Sequence, residues 1–124
     1  MAEKYIDIDT LKYLLYDIHN LEELLVRDRF QDHDKESLDM FIDSVKEFAD
    51  RELFPYVKEM DENPAYHKDG KVFVHDQVKT MMHKGGEMGL ISAPFNYEDG
   101  GMQIPFLSHT AATYILDAAN NHLP

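Results

Sequence analysis

FIDSVKEFADRELFPYVKEMDE, residues 41–62, repeats its apolar side chains at intervals of three and four. Phe41, Ile42, Val45, Phe48, Ala49, Leu53, Tyr56, Val57 and Met60 then share one face of a helix. Leu38 extends the stripe, which predicts the longest helix of the chain over 35–61. Asp34 is the expected N-cap, because its carboxylate accepts a free backbone N–H, and Glu36 sits in the favourable first turn. Ser37 lies near this helix start. Pro55 falls inside the pattern; it lacks an N–H and its ring collides with the preceding turn, so a kink or break is expected there.

Upstream, Leu11, Leu14, Leu15, Ile18, Leu21 and Leu25 give a similar stripe and predict a helix over 9–26. Asp9 is its expected N-cap, and Asn20 either interrupts it or recaps it. RDRFQDHD (27–34) is polar and reads as a connection. Downstream, NPAYHKDGKVFV (63–74) breaks the helical period, with a turn at Asp69-Gly70 and an extended piece at 71–74. A third helix fits 75–89, with Val78, Met81, Met82, Gly85 and either Met88 or Gly89 inward. Its three glycines, Gly85, Gly86 and Gly89, each cost about 1 kcal/mol of helix stability relative to Ala. Close approach of a neighbouring element is the expected return, and Gly89 is a candidate left-handed stop. Pro105 suits the first position of a last helix over 105–119, with Leu107, Ala111, Tyr114, Ile115 and Ala118 inward and Asn120-Asn121 ending it. The fold class that follows is all-α: a bundle of four to five helices, one domain over 1–124, with a short irregular or extended loop near 63–74.

Composition narrows the function. A chain of 124 residues with 44% hydrophobic and 29% charged residues is long enough for one packed core. It has no cysteine, which removes disulfides, thiolate nucleophiles and Cys-ligated metal sites. The formal net charge of −12 opposes nucleic acid and anionic membrane surfaces. No apolar run approaches the roughly 18 residues of a membrane span, and MAEKYIDIDT lacks the apolar core of a secretory signal. A cytoplasmic setting is therefore expected, with neither nucleic acid nor a membrane span involved.

Catalytic patterns are missing. Among seven histidines, His83 with Glu87 is the nearest approach to a helical ligand pair, and no Glu-x-x-His or His-Glu-x-x-His occurs. Inward positions are apolar, so no metal site is expected. Gly85-Gly86-x-x-Gly89 closes a helix, whereas phosphate loops open one. Ser44, Ser92 and Ser108 lack the strand–turn–helix setting of a nucleophile elbow. Met81 and Met82 beside small Gly85 form the best candidate for an apolar pocket wall, suited to an acyl chain.

Three motifs then occur in order. Phe48, Glu52 and Pro55 fit F-x-x-x-E-x-x-P; Gly86, Gly89 and Leu90 fit G-x-x-G-L; and Pro94, Tyr97, Gly100 and Gly101 fit P-x-x-Y-G-G-x-G with departures. Together they resemble the N-terminal helical domain of the flavin-dependent acyl-CoA dehydrogenases. LKYLLYDIHNLEELL (11–25) and the Asp69-Gly70 loop are similar to that family's longer branch, which has an extra N-terminal helix. Glu98-Asp99 stands between Tyr97 and the glycine pair, and Gln103 replaces a small residue, so the loop is expected to sit differently at the active-site mouth.

The resemblance implies a complete enzyme that oxidises an acyl-CoA thioester at Cα–Cβ and passes hydride to FAD. It implies a middle β-domain and a C-terminal helical domain in the same polypeptide, which would hold most flavin contacts and the catalytic base. This chain would wall one side of the acyl-CoA and flavin cleft, with Pro94, Tyr97, Gly100 and Gly101 as structural or cleft-edge residues. No catalytic, cofactor-binding or metal residue is expected within 1–124, and no FAD is expected on this chain alone. An uncovered docking face would favour a homodimer of the piece. The rival reading is a stand-alone acidic helical module that binds a partner protein.

Overall fold

The computed structural model describes residues 4–122. Six α-helices and one small hairpin follow in order: α1 (Ile8–Tyr13), α2 (Leu21–Leu24), α3 (Lys35–Phe48), α4 (Val57–Glu62), β1 (Tyr66–Lys68), β2 (Lys71–Phe73), α5 (Asp76–Glu87) and α6 (Phe106–Ala119). The all-α bundle inferred from periodicity is the observed architecture. The loop near 63–74 is more ordered than expected. It is a two-stranded antiparallel hairpin that pairs Tyr66 with Phe73 and Lys68 with Lys71. Asp69 and Gly70, both at positive φ, make its turn.

The first helical stretch departs most from its stripe. Asp7 rather than Asp9 is the N-cap, its carboxylate accepting from the Thr10 N–H at 3.2 Å. After Tyr13 the chain widens into a π-helical turn over Leu14–Ile18. The wide turn rotates the stripe: Leu11, Leu15 and Leu21 are buried while Leu14 and Ile18 are exposed. Asn20 interrupts the helix in the left-handed conformation at φ 52, and α2 restarts from it.

α3 begins as its sequence dictates. Asp34 accepts from the Ser37 N–H at 2.7 Å and the Ser37 hydroxyl accepts from the Asp34 N–H at 3.0 Å, a reciprocal cap. Pro55 then acts several residues ahead of itself. In a regular helix its N–H would bond the Arg51 carbonyl, and it has none. The backbone passes through a π-helical turn at Ala49–Leu53 and a 3₁₀ turn at Phe54–Tyr56 before α4 resumes.

Two carbonyls in this altered turn are taken by buried side-chain amides from other helices. Gln77 of α5 donates its Nε2 to the Glu52 carbonyl at 3.0 Å, and Asn120, just past α6, donates its Nδ2 to the Leu53 carbonyl at 2.9 Å. Asn120 is only 1% exposed, and its Oδ1 also accepts from the His122 N–H. The proline therefore shapes the local helix, and the acceptors beside it pin α5 and α6. Replacing Asn120 by Leu keeps the branched outline, adds some bulk, and removes the amide that donates to the Leu53 carbonyl. A loss of about 1–3 kcal/mol is expected, read from the urea midpoint.

α6 packs mainly on α3 and on the wide turn that follows it. Ser108, Ala111, Ala112, Ile115 and Ala119 are buried on its inner face. Tyr114 and Ala118, expected inward, face out. Small side chains at 108, 111, 112 and 119 let the two helices approach closely. Pro105 stands one position earlier than expected, at the N-cap with ψ 138. On α5, Gln77, Met81 and Gly85 are buried, Val78 is partly so, and Met82 and Met88 are 37% exposed. Burial of Gln77 runs against simple polarity and follows from its bond to the Glu52 carbonyl.

The N-terminal segment is sewn to α3 and to the wide turn that follows it. The Tyr5 hydroxyl donates to Asp50 at 2.9 Å, and Lys12 pairs with Asp43 at 2.9 Å. Leu11, Leu15 and Leu21 join one core cluster with Leu38, Ile42, Val45 and Phe48. Residues 4–122 thus share a single core.

Candidate functional site: a braced loop beside an apolar cleft

The three motifs converge at the C-terminal end of α5. Glu52 anchors the near side. Its carboxylate accepts from Lys84 Nζ at 2.7 Å and lies 3.4 Å from Gln77 Nε2. The acidic position of the first motif is thus a strut between the α3–α4 bend and α5. Phe48 packs beneath, its ring 3.8 Å from where a Cβ on Gly85 would stand.

Gly89 ends α5 in the left-handed conformation at φ 77, as its place in the second motif suggests. A Cβ there would come within 3.3 Å of the Met102 side chain. Gly85 and Gly86 are different: an added Cβ would find only ordinary contact at 3.8 Å. Close packing of this glycine cluster therefore holds at Gly89 alone.

The chain next forms a compact loop over 92–104, built mostly from its own backbone. The Met102 and Ile104 N–H groups both donate to the Ala93 carbonyl, each at 3.1 Å, and the Gln103 N–H donates to Phe95 at 3.0 Å. Pro94 is half-buried at its entry and Tyr97 is about half exposed at its tip. Gly100 turns the backbone at φ 84 with open space around it. Gly101 is the close approach: a Cβ there would lie 2.1 Å from the Phe95 carbonyl oxygen. The two glycines of the pair thus serve different needs, one conformational and one steric.

Their amides are already used. Gly100 N–H donates to Tyr97 and Gly101 N–H donates to Asn96, at 3.0 and 2.9 Å. At the end of α5, Gly89 and Leu90 N–H groups are bonded to Gly86 and Gly85. These glycines offer no row of free N–H groups to a phosphate.

The polar segment 27–34, read from sequence as a mere connection, braces the loop. Arg29 donates to Asn96 Oδ1 at 2.7 Å and to the Pro94 carbonyl at 3.2 Å. His33 Nε2 donates to the Met102 carbonyl at 2.8 Å, which fixes its tautomer because a carbonyl only accepts. Gln103 completes the brace: its Nε2 donates to the Arg29 carbonyl at 3.1 Å and its Oε1 accepts from the Tyr97 N–H at 3.2 Å. Gln103 holds a positive φ of 49 while doing so. The residue that departs from the family pattern therefore ties the loop to the N-terminal segment. Nothing in the sequence links positions 29 and 96; only folding brings them together.

The Tyr97 phenol is held above its usual value, by the burial it has and by the facing Asp32 carboxylate. It keeps its proton at neutral pH, so its hydroxyl can donate a hydrogen bond as well as accept one.

Between α5 and α6 lies a cleft of about 260 Å³. Met81, Met82 and Gly85 form one wall, as the sequence suggested, with Phe48, Leu90 and Ile91 beside them. His109, Thr113, Leu116 and Asp117 of α6 form the other. His109 Nδ1 is shielded from solvent with no hydrogen-bond partner among the described residues. His109, Thr113 and Asp117 also line a neighbouring depression with Phe106 and Tyr114, so both open along one side of α6. A larger depression of about 650 Å³ is lined by residues 4–9 and Lys46 and contains no motif residue.

Among the described residues no cluster of three or more His, Asp or Glu side chains is placed to hold a metal ion. His83 and Glu87 form an exposed pair at 3.2 Å. None of the described helices is long and apolar enough to cross a membrane.

The comparisons agree with this assembly of motifs. Residues 35–122 match the model for the acyl-CoA dehydrogenase N-terminal domain. No curated protein matches the chain. The match spans α3 to the end of α6 and takes in every residue of the three motifs. Residues 4–34, which supply Arg29 and His33, lie outside it. This chain belongs to the acyl-CoA dehydrogenase N-terminal domain family.

Proposed function

We propose that this chain is the N-terminal domain of an enzyme that oxidises an acyl-CoA thioester at Cα–Cβ with hydride transfer to FAD. It walls one side of the substrate and flavin cleft. The observation that carries the reading is the family match over the folded unit that contains the braced 92–104 loop. The N-terminal helices and the Asp69-Gly70 hairpin favour the family's longer branch.

Within that enzyme the chain supplies shape and exclusion of water rather than a reacting group. Pro94, Tyr97, Gly100 and Gly101 form the cleft edge. The residues present do not make a flavin phosphate grip, since the glycine amides are spent inside the loop and the helix end. Flavin contacts and the α-proton base are assigned to a β-domain and a C-terminal helical domain. Exposed apolar side chains near the cleft, Ile91, Phe95, Phe106 and Tyr114, support docking of such domains.

A chimera tests the proposal. This chain would replace the N-terminal domain of a characterised acyl-CoA dehydrogenase, and the bound flavin would be followed while acyl-CoA is added. Bleaching of the flavin by acyl-CoA is expected. A chimera that folds and holds FAD but is never reduced counts against the cleft role. Stoichiometric FAD binding by 1–124 alone would refute the placement of the flavin site in other domains.

A further inference from the structure

The N-cap of α5 is a histidine. His75 has an extended backbone at ψ 140, and its Nδ1 accepts from the Gln77 N–H at 3.0 Å. Ser, Asp, Asn and Thr usually hold this position, and their oxygens remain acceptors at neutral pH. An imidazole nitrogen is an acceptor only while unprotonated. The proton of His75 is therefore on Nε2, which lies 3.5 Å from Glu59 Oε1 on α4. The ring thus accepts from α5 on one side and faces α4 on the other, with its side chain 18% exposed.

We propose that His75 is a protonation-sensitive cap, closing the first turn of α5 when neutral and releasing it when the imidazole gains a proton. Protonation turns Nδ1 into a donor facing the Gln77 N–H, so the capping bond is lost. It also places a positive charge at the positive end of the helix. The titratable groups facing the ring are Glu59 on α4, Tyr66 on β1, Asp76 on α5, and His122 beyond α6. Glu59 and Asp76 carry only acceptors at neutral pH and cannot restore the lost capping bond. His122 borders the same small cavity and is paired with Asp61 at 2.5 Å. A proton on His122 keeps that pair intact, because Nε2 still donates. The two histidines therefore respond oppositely to acid: one contact persists and the cap opens. Further along, α5 also carries Met81, Met82 and Gly85 to the cleft. This inference stands on the fold and not on the proposed enzymatic role.

Amide hydrogen exchange on the 1–124 chain tests it, at about pH 5 and about pH 8, where imidazoles change charge. After correction for intrinsic rates, protection of Gln77 and Val78 is expected to fall about tenfold at the lower pH, while α3 amides hold. In His75→Asn, whose amide oxygen caps at both pH values, the fall should vanish; His75→Ser repeats the measurement. His122→Asn should keep the fall. Unchanged protection in the wild type overturns the proposal. So does a fall shared equally by α3, one that survives both cap variants, or one abolished by His122→Asn alone.

Discussion

Gly101→Ala is expected to lower the unfolding free energy by about 3 kcal/mol, near the upper end for overpacked sites. The added Cβ would lie 2.1 Å from the Phe95 carbonyl oxygen and 2.4 Å from its carbon. These are backbone atoms, so no rotamer change relieves the clash. The carbonyl is also fixed by the Gln103 N–H at 3.0 Å, so moving it breaks a bond inside the loop. Gly100→Ala is the control. It meets nothing within 4 Å but sits at φ 84, where an L-residue costs roughly 1–2 kcal/mol. Urea unfolding of the two variants should therefore rank them with Gly101→Ala clearly worse. Equal midpoints would mean that the loop does not close on Phe95 as described.

Leu53→Ala should cost a comparable or larger amount, about 2–5 kcal/mol. Leu53 is fully buried in the wide turn that precedes Pro55. That turn packs on α6, and its carbonyl is held by Asn120. A site gripped by backbone, by a buried amide and by a neighbouring helix collapses poorly around a cavity. The cost should therefore fall in the upper half of the range. Ile42→Val, which removes one methylene from the regular part of α3, is expected to cost only about 0.5–1.5 kcal/mol. Thermal and urea unfolding of both variants provide the comparison, and a Leu53→Ala loss below that of Ile42→Val would contradict the rigid-turn account.

The legible parts of the sequence were those with local causes. The apolar stripe over 38–60 stays inward through the whole of α3, its distorted turns and α4, because the π and 3₁₀ turns shift the phase in opposite senses. Asp34 capped where the pattern said, and Gly89 stopped α5. The stripe over 11–25 was misleading because a wide turn at Leu14–Ile18 has no compensating tight turn before Asn20. Residues 14 and 18 were therefore carried to the surface. Met82, Tyr114 and Ala118 were misassigned for another reason. On α5 and α6 a polar or small residue could take the inner position once a specific partner or close packing rewarded it, as with Gln77 and Ser108.

The candidate site divides in the same way. Order and spacing alone carried the family, the all-α class and the Met81–Met82–Gly85 wall, because each depends on residues near one another in the chain. Tertiary structure decided which glycine is sterically required, why Glu52 is acidic, and what holds the 92–104 loop in place. The last two answers rest on pairs such as Arg29 with Asn96 and Lys84 with Glu52, separated by 67 and 32 positions. Local pattern encodes which face of a helix is apolar. It does not encode which polar group, far away in the chain, will be the partner once the apolar faces have been buried together.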